Sequence, residues 1–360
     1  MKIDGEHIQS IWFEPESDEV CIIDQTLLPH SLEIISLQSL EETCHAISAM
    51  QVRGAPLIGV TAAYGIYLAL RDDPNSLNAA VSALAETRPT AVNLQWALQR
   101  MQENLNGLDF SDLPGKALET AQLLEKEDIA VCEAIGEHGL GILQALWNEK
   151  NESQDALNLL THCNAGALAT VDWGTALSVV YKAHAAGIPL HVWVDETRPR
   201  NQGAALSCWE LTQQKIPNTL IVDNAGGHLM QTGKVDLCLV GSDRTTLGGD
   251  VYNKIGTYLK ALAAHHNNIP FYAALPVSSI DFSIVDGLSS IPIEERDAIE
   301  VSHISGITEA GNIESVQLAP DGTAISNLGF DVTPAQFITG IITEKGVFEA
   351  NEASLQQLLD

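Results

Sequence analysis

Two short segments of this chain place a nucleophile and an acid where a small anionic substrate could meet them. The first, Thr161-His162-Cys163-Asn164-Ala165-Gly166-Ala167-Leu168-Ala169-Thr170, sets a cysteine between an apolar run and a string of small residues. Such a turn from strand to helix lets backbone N–H groups approach an anion, and a helix start with nearby arginines favours the thiolate of Cys163. The second, Gly241-Ser242-Asp243-Arg244-Thr245-Thr246-Leu247-Gly248-Gly249-Asp250-Val251-Tyr252-Asn253-Lys254, presents a carboxyl group at the end of another apolar run. Apolar surroundings raise the pKa of such a group and suit it to general acid work. Asp195, Glu196, Asp223 and Asp250 compete for the same role. His162 is expected on the opposite face of its strand from Cys163, so the two are not read as a dyad.

Each feature also has a plain structural reading. Cys163 fits a buried thiol, Asp243 a helix cap, and the glycines a turn that needs small residues for geometry alone. What favours a site is their grouping. Polar loops with glycine follow four successive apolar runs, the other two being Asp195–Gly203 and Asp223–His228. Arginine placement agrees. The chain has 18 basic against 47 acidic residues, a net charge of −29, and only eight arginines. Five of these (Arg53, Arg88, Arg198, Arg200 and Arg244) lie in loop-like segments, a pattern suited to binding an anion. Arg53 precedes Gly54-Ala55-Pro56 at the start of an apolar helix, Arg88 precedes Pro89-Thr90, and Lys254 ends the Asp243 segment. Neither glycine-containing loop is G-x-G-x-x-G or a Walker loop, and no cysteine or histidine spacing is that of a zinc site, so neither cofactor nor metal is expected.

The elements that must hold these residues change character midway. The first forty residues read as short strands at Ile8–Phe13, Val20–Asp24 and Leu32–Leu37. Helical patterning follows at Ala55–Leu70, Ala91–Leu105 and Leu118–Trp147, with Gly136, Gly139 and Gly141 expected to weaken the last. Asn148–Asp155 is polar and suits a hinge. From Ala156 onward, apolar runs at Ala156–Leu160, Leu190–Val194, Thr219–Val222, Leu237–Val240 and Phe271–Leu275 alternate with helix-like stretches at Thr175–Ala186, Ala204–Gln214 and Lys254–His265. This α/β rhythm predicts a parallel sheet with helices on both faces and a ligand beyond the carboxyl ends of its strands.

With 360 residues, 45% of them hydrophobic, the chain has room for two ordinary domains. Its acidity disfavours nucleic acid and anionic lipid as partners. The N-terminal residues lack the pattern of a signal peptide, no run approaches the roughly 18 apolar residues of a membrane span, and the six cysteines are scattered. A reducing cytoplasm fits these features.

Taken in order, the loops resemble those of the methylthioribose-1-phosphate isomerases, a family related to the regulatory subunits of translation factor 2B. The resemblance runs from about Gln51 to Gly346. It rests on Arg53-Gly54-Ala55-Pro56, Arg88-Pro89-Thr90-Ala91-Val92-Asn93, Thr161–Thr170, Asp195–Gly203, Gly241–Tyr258 and Phe330-Asp331-Val332-Thr333-Pro334. It implies an N-terminal mainly helical domain with a small antiparallel sheet (1–148), a C-terminal Rossmann-like domain (149–360) and a homodimer. It implies that Cys163 assists the transition state and Asp243 donates a proton. Arg53, Gly54, Ala55, Arg88, Gln202, Asn253 and Lys254 would bind substrate. The reaction implied is conversion of 5-methylthioribose 1-phosphate to 5-methylthioribulose 1-phosphate in methionine salvage, without a cofactor. Departures at Ala205, at Asn224–His228 and at Thr245–Gly249 leave the preferred 5-substituent open. Another pentose 1-phosphate, such as 5-deoxyribose 1-phosphate or ribose 1,5-bisphosphate, is an alternative substrate. A non-catalytic sugar-phosphate sensor is the alternative of a different class; retention of both Cys163 and Asp243 favours the enzyme.

Overall fold

The computed structural model describes residues 1–89, 91–150 and 154–359. Thr90 of the arginine-proline motif and residues 151–153 of the expected hinge lie outside the described residues.

The chain opens with β1 (Lys2–Ile3) and β2 (Glu6–His7), then an antiparallel sheet of β3 (Ile11–Glu14), β4 (Glu19–Ile23) and β5 (Ile34–Leu37). Five helices follow: α1 (Leu40–Ser48), α2 (Ala55–Asp72), α3 (Leu77–Thr87), α4 (Val92–Leu105) and α5 (Leu113–Lys150). α2 is apolar all round, and nearly every residue from Ala55 to Leu70 is buried, as such a helix requires. The other four helices pack around it. Tyr64, Ile66 and Leu68 meet Leu84 and Leu94 in the first core.

The glycines of α5 do not interrupt it. A Cβ at Gly139 would stand 2.3 Å from Val179, and one at Gly136 3.0 Å from the Ser178 carbonyl. These glycines let α5 lie close against α6 (Ala176–Ala185), so packing outweighs their poor helix propensity. α5 serves two cores, with Leu113 and Leu124 in the first and Ile135 and Leu143 in the second. By length and composition it is also the one described helix that meets the criterion for a membrane span. It packs against α2, α4 and α6.

The later strands are β6 (Leu157–Thr161), β7 (Leu190–Asp195), β8 (Asn218–Ile221), β9 (Leu237–Val240), β10 (Arg244–Thr246), β11 (Val251–Lys254), β12 (Phe271–Ala274), β13 (Ile280–Asp281), β14 (His303–Ile307), β15 (Ile313–Gln317), β16 (Phe330–Thr333), β17 (Gly340–Thr343) and β18 (Gly346–Phe348). Seven form the main sheet in the order β18-β17-β12-β9-β6-β7-β8, parallel except for β18. Alternate residues face opposite sides, as the pleat demands. Leu159, Val192, Val194 and Leu239 join α5 and α6, while Leu160, Cys238 and Val240 join α8 (Ala225–Gln231) and α9 (Thr257–His266) on the other face.

The chain steps outward from β6 to β7 and β8, then returns to lay β9 on the other side of β6. Strand order therefore reverses between β6 and β9, and a crevice opens beyond their carboxyl ends. A smaller sheet, β13-β10-β11-β16, grows from the loop after β9. Lys254 thus ends a strand, where the sequence pattern suggested the start of a helix. Long-range pairing of β11 with β16 decides this, matching Lys254 with Phe330.

The loop after β6 is anchored to α5 by Asp128, whose carboxylate accepts the Val171 N–H at 2.7 Å. Burial pushes this carboxyl up to about 7, opposed by the Val171 and Cys132 hydrogen bonds. A folded pKa raised above the ordinary 3.8 favours the fold fully below about pH 4, and this contribution is lost as pH rises through about 7. Thermal melts should therefore show wild-type stability falling from pH 5 to pH 8 relative to Asp128→Asn. Parallel pH profiles for the two proteins would contradict this.

Candidate active site

Cys163 lies two residues past the end of β6 and Asp243 three residues past the end of β9. They are thus brought together by the two strands that flank the reversal in the sheet. One cavity is lined by Cys163, Asp243, Arg53, Gly54, Ala55, Arg88, Gln202, Asn253 and Lys254, all nine residues that the family resemblance implies.

The N-terminus of α2 closes one side. Gly54 caps it with φ +95°, and a Cβ there would come within 2.3 Å of the Ala169 carbonyl oxygen. Only glycine accommodates both the left-handed backbone and this close approach. Arg53 turns back onto the loop after β6, donating to Asn164 Oδ1 and to the Asn164 carbonyl, each at 2.6 Å. Arg88 reaches in from the end of α3, with Glu294 at 3.9 Å. Gln202 is buried, and among the described residues its Oε1 has no hydrogen-bond partner, leaving an acceptor for a ligand. β11 supplies Asn253, which donates to Thr257 Oγ1 at 3.1 Å, and Lys254, which donates to the Gly329 carbonyl at 2.9 Å and lies 4.2 Å from the centre of the Phe330 ring.

Charge and burial compete across this cavity. Burial has the largest effect on Asp243 and raises its pKa, while Lys254, Arg88 and Arg53 oppose the rise. Burial likewise raises the Cys163 thiol, against the pull of Arg53 and Lys254. It lowers the Lys254 ammonium, which the negative charge available to Cys163 and Asp243 supports. The result is a carboxyl and a thiol whose neutral forms burial favours, beneath a cluster of cations. Desolvation thus opposes the thiolate that a helix start and nearby arginines favour.

The small-residue loop does not hold an external anion with the N–H groups at its turn. Glu210, 1% exposed, accepts from Ala167 N–H at 2.7 Å and Leu168 N–H at 3.2 Å, and also from Asn164 Nδ2 and Tyr181 Oη. The protein's own carboxylate fills that nest. Gly248 and Gly249 serve close packing against Val285 and Ala350. Asp195 and Asp223 lie away from Asp243: Asp195 faces His162, and Asp223 accepts the Thr197 and Arg198 N–H groups. Asp250 anchors the Gly287 and Ala335 N–H groups.

Sequence patterning missed Met50, Tyr252, Arg296 and Phe330, which also line the cavity. Tyr252 stacks on Phe330 with ring centroids 4.8 Å apart. Arg296 pairs with Glu294 at 3.1 Å and with Glu300 at 3.1 Å. Its acidic neighbours concealed it in the sequence. Phe330 stood in a quoted motif without an assigned role.

Comparison with known proteins follows the same outline. The initiation factor 2 subunit family matches residues 51–350. The methylthioribose-1-phosphate isomerase of Methylobacterium nodulans is 56% identical, covering 99% of this chain and 98% of its own. Among solved structures, the 5-methylthioribose 1-phosphate isomerase of Pyrococcus horikoshii OT3 superposes with a TM-score of 0.83 at 37% identity, covering 98% of this chain and 96% of that one. A structure described as translation initiation factor eIF-2B, subunit delta, from A. fulgidus gives 0.80 at 38% identity, covering 98% of this chain and 99% of that one. This chain therefore belongs to the initiation factor 2 subunit family, alongside its methylthioribose-1-phosphate isomerases.

Proposed function

We propose that this protein is an aldose–ketose isomerase that converts 5-methylthioribose 1-phosphate to 5-methylthioribulose 1-phosphate in methionine salvage, with Asp243 as its acid and Cys163 as the group facing the reacting carbons. The observation that carries the reading is the meeting of Cys163 and Asp243, from adjacent strands, in one cavity with Arg53, Arg88 and Lys254. The full-length likeness to isomerases of this name supports it.

The chemistry sets the demands. Phosphate on the anomeric oxygen prevents the sugar from opening to a free aldehyde, so the ring oxygen must be protonated as its bond to C1 breaks. Asp243, whose protonated form burial favours, supplies that proton. C1 is left electron-poor. Hydrogen then moves from C2 to C1 with its electron pair, and the C2 hydroxyl gives up its proton as the ketone forms. That proton restores Asp243. C2 is oxidised and C1 reduced within one molecule, so atoms and electrons balance without an external redox partner. The raised thiol of Cys163 favours this direct transfer over abstraction by a thiolate base. Arg53, Arg88 and Lys254 hold the phosphate and hydroxyls, with Gln202, Asn253 and the Gly54-Ala55 backbone completing the grip.

The same reading places the enzyme in the cytoplasm as a homodimer, built from a helical unit (1–148) and a Rossmann-like unit (149–360) that both contribute to the cavity. Six unpaired cysteines suit a reducing compartment. Sedimentation should give a species about twice 38.7 kDa; a monomer contradicts the dimer.

Proton NMR of the purified protein with 5-methylthioribose 1-phosphate should show the ketose 1-phosphate accumulating. Cys163→Ser and Asp243→Asn should each reduce kcat by about 10²-fold or more while remaining folded. Substrate deuterated at C2 should deliver its deuterium to C1, and washout into solvent would instead make Cys163 a base. No turnover of this substrate overturns the assignment. Turnover of a 5-deoxy or 5-phospho analogue alone would change the substrate, and binding without turnover would favour the sensor suggested by the A. fulgidus relative.

A further inference from the structure

Behind Cys163 lies a buried polar array to which the reaction just described gives no part. His162, 1% exposed, turns away from its neighbour and places Nδ1 2.9 Å from Asp195 Oδ2 and Nε2 2.8 Å from the Ile255 carbonyl. One bond reaches the end of β7 and the other the residue after Lys254. Asp195, fully buried, also meets Lys260 Nζ at 3.1 Å, and Lys260 donates to the Asp223 carbonyl. His162, Asp195 and Asp223 are close enough together to suggest a cation site. The Lys260 ammonium already supplies the positive charge there, so the cluster is read as a strut.

The strut ends at the backbone of Cys163. Thr197 Oγ1 accepts the Cys163 N–H at 2.8 Å and donates to the Asp195 carbonyl at 3.0 Å. The Thr197 N–H is held by Asp223 Oδ1 at 2.7 Å. From the other side, Ser207 Oγ donates to the Cys163 carbonyl at 2.7 Å. Cys163 and Thr197 both have φ +64°, in the left-handed region that non-glycine residues avoid, a β-branched threonine most of all. Such a conformation persists where surrounding bonds over-determine it, and it gathers at functional sites. Here both peptide groups flanking Cys163 are gripped by buried side chains.

We propose that Thr197 and His162 are positioning residues for Cys163. Thr197 holds the cysteine in its left-handed backbone through the N–H, and His162 fixes the separation between the ends of β6 and β11, and so between Cys163 and Lys254. The inference rests on the isomerase reading, because it assigns the strut a part in aiming Cys163 at substrate.

The full-length protein is compared with Thr197→Val, Thr197→Ser and His162→Gln by steady-state kinetics, thermal melting and the rate of Cys163 alkylation by iodoacetamide, read by peptide mass spectrometry. Thr197→Val and His162→Gln should each lose about 10²-fold in kcat with KM changed by no more than about threefold, the cost of a misplaced reacting group. Thr197→Ser keeps the hydroxyl and should stay within about threefold of wild type. The alkylation rate should change in Thr197→Val and not in Thr197→Ser. Wild-type kcat in a folded Thr197→Val or His162→Gln, or a Thr197→Ser as impaired as Thr197→Val, overturns the proposal. If Thr197→Val does not fold, His162→Gln decides; if neither folds, the strut is structural and the proposal falls. An inactive wild type would count against the isomerase reading alone, and the alkylation comparison would still judge the positioning.

Discussion

Desolvation and attraction pull on the same two groups in this protein, and the rest of the cavity follows from their balance. Asp243 and Cys163 are half-buried in the cavity, and the surrounding protein desolvates them, which favours their neutral forms. Arg53, Arg88 and Lys254 crowd the same space and favour the charged forms. Burial is the larger influence at both and favours their neutral forms. An acid in an open cleft would have ionised and neutralised those cations itself. Lys254 experiences the converse, with burial weakening its ammonium until an anion supports it.

The fold creates this condition by bringing distant parts of the chain to one point. The reversal of strand order between β6 and β9 places Cys163 and Asp243 side by side although 80 residues separate them. α2 then brings Arg53 to the loop after β6, and its glycine cap allows the approach. β11 pairs with β16 and carries Lys254 across from the far side, with Phe330 beneath its ammonium. Asp128 ties the Cys163 loop down to α5, the helix shared by both cores. Glu210 satisfies the Ala167 and Leu168 N–H groups of that loop from within.

Much of this was legible in the sequence because local patterns carried it. Short apolar runs alternating with helix-like stretches, and the polar loops after them, pointed to the parallel sheet and its carboxyl edge, and scarce arginines in an acidic chain pointed to an anion. Other features depend on contacts far apart in sequence. Gly136 and Gly139 read as helix-weakening until α6 is seen packed against them. Lys254 reads as helical until β16 pairs with its strand. The small residues after Cys163 read as an anion nest until Glu210, 43 residues beyond Ala167, is seen to occupy it. Tyr252 stood in a quoted segment without an assigned role, and Arg296 belongs to no local pattern; only the folded chain brings it to the cavity.

The central claim is that desolvation by the fold raises the Asp243 pKa and so favours its protonated form. Infrared difference spectroscopy of wild type against Asp243→Asn, with carbon-13-labelled aspartate, reads that proton directly. The account predicts an isotope-shifted carbonyl stretch of a protonated carboxyl, present in wild type, absent in the variant and persisting well above the ordinary carboxylate range. A spectrum showing only ionised carboxylate at Asp243 throughout the pH range of activity would contradict it.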